Sequence, residues 1–82
     1  MDLGKLLLRI STNPNNVDFK DFIRLVEGFG LKLKRSRGSH FMYARPGVPQ
    51  LINIQNVGGK AKGYQVRQLL DIVEIYNLPL SQ

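Results

Sequence analysis

At Gly30 the spacing of apolar residues changes period, and this change constrains the fold more than any other feature of the 82-residue chain. Before it, Phe19, Phe22, Ile23, Val26 and Phe29 recur at helical spacing while Lys20, Arg24 and Glu27 fall on the other side. The spacing predicts a helix that starts near Asp18. That carboxylate is expected to accept hydrogen bonds from the first-turn N–H groups, and Asp21 adds negative charge at the positive end of the dipole. Gly28 and Gly30 are expected to close the helix, Gly30 in the left-handed conformation that needs no Cβ. After Gly30, Leu31-Lys32-Leu33-Lys34-Arg35 alternates apolar and basic residues and reads as a strand with one wet face.

The alternation continues through short connections. Ser36-Arg37-Gly38-Ser39 supplies turn residues, His40 to Arg45 reads as a second strand, and Pro46-Gly47-Val48-Pro49 separates it from a third, Leu51 to Gln55. Connections this short imply an antiparallel meander. Residues 56–63 read as a flexible basic loop, and a last helix from about Tyr64 is expected to bury Val66, Leu69, Leu70, Val73 and Tyr76, ending no later than Pro79. Upstream, Leu3, Leu6, Leu7 and Ile10 predict a short amphipathic helix, broken by the polar run from Ser11 to Asn16. Too short to stand alone, it should dock on its own domain or serve as an interface helix. The chain therefore divides into an N-terminal helix and linker, 1–16, and a domain, 17–82. The expected architecture is α+β, a two-layer sandwich in which a three-stranded antiparallel sheet carries two helices on one face and leaves the other face open.

Charge narrows the function. From residue 28 to residue 70 there is no acidic side chain, while Lys32, Lys34, Arg35, Arg37, Arg45, Lys60, Lys62 and Arg67 contribute +8; the rest of the chain nets −2. A segment of one sign repels itself on compaction, so a polyanion or an acidic partner is expected, with a solvated basic surface as the plain alternative. With no cysteine and one histidine there are too few ligands for a thiolate or imidazole metal site, and no metal or cofactor is expected. The longest apolar run, Phe41 to Ala44, is far below the ~20 residues of a membrane-spanning helix. Asp2 and the short Leu6-Leu7-Leu8 run do not fit a signal peptide, so a cytoplasmic protein is expected, with no membrane partner.

The only histidine, His40, directly follows the Gly38-Ser39 turn. An imidazole titrates near neutrality, and RNA carries its own nucleophile in the 2′-hydroxyl, so one histidine among cations is a sufficient set for RNA cleavage without a metal. Arg37, Lys60 and Lys62 are the candidate phosphate cations, with Ser39 beside them. The Gly58-Gly59-Lys60 sequence lacks the remainder of a phosphate-loop motif, and nucleotide binding is set aside. On the second strand His40, Met42 and Ala44 share one face and Phe41, Tyr43 and Arg45 the other. Both faces carry apolar residues, so either could be inside. If Phe41 and Tyr43 face outward beside Arg45 they form a stacking platform for unpaired bases, and Tyr43 and Arg45 are kept as RNA-binding candidates.

Taken together, Arg37-Gly38-Ser39-His40, the preceding helix that ends in Gly28-Phe29-Gly30, and the later Lys60-Ala61-Lys62-Gly63-Tyr64-Gln65-Val66-Arg67-Gln68 segment resemble the HicA, or YcfA-like, toxins over about residues 17–78. The resemblance implies a fold similar to double-stranded-RNA-binding domains, an mRNA endonuclease belonging to a type II toxin–antitoxin module, and neutralisation by a HicB antitoxin. It places the catalytic role on His40, the residue after the Gly-Ser turn. Many members carry a second histidine where Phe41 stands here, which leaves a non-cleaving RNA-binding relative, or a basic protein-binding module, as the alternatives.

Overall fold

The computed structural model describes residues 2–81; residues 1 and 82, the outer bounds of the two expected segments, lie outside the description. The elements are helix α1 (Leu3–Thr12), helix α2 (Phe19–Gly28), strands β1 (Lys32–Arg37), β2 (His40–Arg45), β3 (Val48–Val57) and β4 (Lys60–Ala61), and helix α3 (Gly63–Ile75). This is an α+β fold whose antiparallel sheet runs β1-β2-β3-β4. Four strands replace the expected three. The third begins at Val48 rather than Leu51 and runs to Val57, and the supposed basic loop contains a hairpin.

That hairpin has a simple local cause. Gly58 (φ 58°) and Gly59 (φ 85°) are both left-handed, as the two central residues of a type I′ turn must be, so the chain reverses in two residues and Lys60 pairs with Val57. β4 then holds the α1–α2 linker against the sheet: the Ala61 amide donates to the Val17 carbonyl at 2.9 Å, and the Phe19 amide donates to the Gly59 carbonyl at 2.8 Å.

The core lies between the helices and one sheet face. Leu6 and Ile10 of α1, Phe22, Leu25 and Val26 of α2, and Val66, Leu69 and Ile72 of α3 are buried with Tyr43, Ile52 and Ile54 from the sheet. α1 thus belongs to the common core. Leu70, Val73 and Tyr76 pack at its margin. α3 ends at Ile75, ahead of the left-handed Asn77 (φ 50°) and well before Pro79.

Asp18 caps α2 only through its backbone position. Its side chain makes no capping bond and turns instead to Lys60, because β4 brings that ammonium group to 2.7 Å, where a charge-assisted hydrogen bond forms. Gly30 is left-handed, φ 84°, as expected after the helix. Among the described residues no helix is long and apolar enough to cross a membrane.

Candidate nucleic-acid interface

The register of the meander sets two rungs of side chains on the open face. Arg37 pairs with His40, which pairs with Gln55; Arg35 pairs with Met42, which pairs with Asn53. Directly paired residues share a face, so all six project away from the helices. A β-bulge between Leu33 and Arg35 makes this possible, since it shifts β1 by one residue and brings Arg35 and Arg37 to the face that holds His40.

Arg35, Ser36, Arg37, His40, Met42 and Asn53 line one concavity of about 480 Å³. His40 is exposed, and Met42 is half-buried. The side chains of Arg35, Arg37 and His40 have no hydrogen-bond or ion-pair partner among the described residues. Two guanidinium groups therefore stand beside an imidazole with their charge uncompensated, which favours an anion in the concavity.

Three other cations of the +8 segment, Lys60, Arg67 and Lys62, have contacts of their own, while Lys32 and Lys34 on β1 are exposed. Lys60 Nζ lies 2.7 Å from Asp18 Oδ1 and 3.2 Å from Asn16 Oδ1. The hydrogen bond from Lys60, and then its charge, hold the Asp18 carboxyl below its ordinary pKa. Arg67 donates to Asn15 Oδ1 at 2.7 Å. Lys62, at the N-terminus of α3, sits 5.8 Å from the centre of the Tyr64 ring.

The face of β2 that periodicity left open is settled by the structure. Phe41, Tyr43 and Arg45 turn toward the helices. Tyr43 is 2% exposed, pairs across the sheet with Ile52, and directs its hydroxyl to Glu27 Oε2 at 3.4 Å. Burial, and then the Glu27 charge, push its phenol pKa up. A ring so placed cannot stack on a base, which corrects the RNA-binding expectation for Tyr43. Arg45 is corrected with it: its Nε donates to the Phe29 carbonyl at 2.8 Å, satisfying a carbonyl left over at the end of α2, and its Nη1 donates to the Pro46 carbonyl at 3.0 Å. Large rings bury more area than Met42 and Ala44 would, and they meet Ile52, Ile54 and the apolar faces of the helices.

Of the expected site residues, the structure brings Arg37 and Ser39 to His40 and leaves Lys60 and Lys62 at the other side of the sheet, on β4 and the start of α3. Ser39 is exposed in the turn. Its Oγ lies 3.5 Å from Gln55 Nε2, and its carbonyl accepts from the Asn56 amide at 2.9 Å. The β1–β2 and β3–β4 turns approach each other at this end, where Gly38, Ser39, Phe41, Asn56, Gly58 and Gly59 line a second concavity of about 420 Å³.

Sequence reasoning placed Met42 on the face of His40 but missed Arg35 and Asn53 as neighbours on the adjoining strands, because the bulge that aligns Arg35 has no sequence signature. No protein-family model, curated protein or solved structure matches the chain.

Proposed function

We infer that the chain is a metal-independent RNA endonuclease of the HicA kind, the toxin of a type II toxin–antitoxin pair, with His40 as general acid or base. The observation that carries this reading is the position of His40 on an open sheet face, in one concavity with the uncompensated Arg35 and Arg37. The 2′-hydroxyl of the bound RNA attacks the adjacent phosphorus and gives its proton to the imidazole as the new oxygen–phosphorus bond forms. The bond to the 5′ oxygen breaks, and that oxygen takes up a proton from the imidazolium or from water. Arg35 and Arg37 stabilise the charge that grows on the non-bridging oxygens. Lys62 adds positive charge for more distant phosphates, whereas the charge of Lys60 is met by Asp18.

The order α2-β1-β2-β3-α3 supports a likeness to double-stranded-RNA-binding domains, with α1 and β4 as additions to that plan. The resemblance of the Arg37–His40 turn and the 60–68 segment to HicA sequences supports the family assignment. It also implies a HicB-like antitoxin that covers His40 and the arginines and so excludes RNA, with association slowed by salt. Such a toxin acts where mRNA is translated, in the cytoplasm.

One observation favours a second reading, an RNA-binding domain that does not cut. Phe41 occupies the position at which many HicA proteins carry a histidine, and its ring packs against Phe19 with centroids 5.3 Å apart. Neighbouring strand residues point to opposite faces, however, so a histidine at 41 would not stand beside His40. The cleaving reading therefore stands first. Incubating the protein with labelled RNA in EDTA separates the possibilities: cleavage supports the nuclease, retention without cleavage the binding domain, and neither leaves a protein-binding module.

A further inference from the structure

The open face is organised in three columns that a phosphate-binding role alone does not use. Arg35 and Arg37 form a cationic column on β1, His40, Met42 and Ala44 a mostly apolar one on β2, and Leu51, Asn53 and Gln55 one that contains two amides on β3. Adjacent strands lie about 4.8 Å apart, so charge, apolar surface and amide follow one another across about 10 Å. An unpaired nucleotide presents the same succession of groups, from phosphate through sugar to base edge.

We propose that this face is a subsite for one unpaired ribonucleotide beside His40, in which Arg35 and Arg37 hold flanking phosphates, Met42 carries the base and Asn53 reads its edge. The half-buried thioether of Met42 offers a polarisable apolar floor that adapts to a flat ring. Asn53 is exposed, and its amide has no partner among the described residues, so a donor and an acceptor stand side by side for a base edge. Gln55, by contrast, is directed to Ser39. A duplex cannot use the subsite, because its bases are stacked and paired and only phosphates and 2′-hydroxyls would reach the sheet. The proposal deepens the nuclease reading and rests on it only in taking RNA as the ligand.

The test measures binding of a short 2′-O-methyl oligonucleotide, which lacks the nucleophile, as a single strand and as its duplex, together with amide chemical shifts. The single strand should bind at least about 10-fold more tightly than the duplex, with shifts centred on residues 35, 37, 42 and 53. Met42→Ala and Asn53→Ala should each weaken single-strand binding by about 3- to 10-fold, leaving duplex affinity and Tm in place. Equal affinity for the duplex, undiminished binding by both variants, or no binding of either form would overturn the subsite. So would an oligoglutamate that binds as tightly as the single strand, because charge alone would then be read. If unmodified RNA is not cut in EDTA but single-strand binding still depends on Met42 and Asn53, the nuclease reading fails and the subsite stands. Cleavage that is indifferent to both variants has the opposite meaning.

Discussion

Asp18 and Lys60 show how far a single residue's role depends on what the fold brings to it. Asp18 precedes a helix and has the side chain of a good cap, yet its carboxylate goes to an ammonium group from a strand more than forty positions away. Its pKa is lowered, first by the hydrogen bond from Lys60 and then by the charge of that residue. A carboxyl whose folded pKa lies below its unfolded value contributes stability above the unfolded value, about 3.9, and loses it as pH falls through the folded one. Plotted from pH 6 to pH 2, the Tm of the native protein should therefore drop more steeply than that of Lys60→Gln, which lacks the partner. Identical acid limbs would show that the pair has no energetic role. Tyr43 carries the companion lesson. The alternation on β2 was plain in the sequence, but Phe41 and Tyr43 on one side and Met42 and Ala44 on the other gave apolar character to both faces. Only the register against Ile52 and Ile54 decides between them.

At the scale of elements, the three helices and the meander were legible because their apolar residues repeat over several turns or several strand positions. β4 was not, since two residues are too few for a period and its neighbours are polar. Its signal was the Gly58-Gly59 pair between Val57 and Lys60, the dipeptide of a two-residue hairpin. The turn provides a clean test, because a Cβ at Gly58 would meet nothing within 4 Å and any loss must come from the backbone. Gly58→Asn, which tolerates a left-handed φ, should leave stability nearly unchanged in urea denaturation, whereas Gly58→Val should lose on the order of 1–3 kcal/mol. Equal stability of the two variants would mean that the hairpin is not under this constraint. Gln65 was also beyond reach of periodicity. It is 2% exposed, on the buried side of α3, because its Oε1 accepts the Gln55 amide at 2.8 Å and joins helix to sheet.

For the whole molecule, the +8 segment is not one uniform surface. Folding divides it into exposed β1 cations without partners among the described residues, Lys32, Lys34, Arg35 and Arg37, of which the two arginines stand beside His40, and cations already engaged, Lys60, Arg67 and Arg45, with Lys62 over the Tyr64 ring. RNA affinity should fall linearly with salt on a log–log plot, and Arg35→Ala or Arg37→Ala should each reduce the slope by about 0.7 for a single strand. Arg45→Ala should leave the slope unchanged. An Arg45 variant with the larger effect would place the RNA on the wrong side of the sheet. The central claim is that His40 performs chemistry on RNA held by that open face, and it is tested most directly by His40→Gln. Glutamine keeps polarity and approximate size but exchanges no proton near neutral pH, and the exposed position lets the fold accept it. Tm, RNA binding and cleavage in EDTA should be measured on the same preparation. Stability should change by less than about 1 kcal/mol and binding should persist, while cleavage falls by a factor on the order of 10² or more. A folded His40→Gln protein that cuts RNA at the native rate would contradict the account.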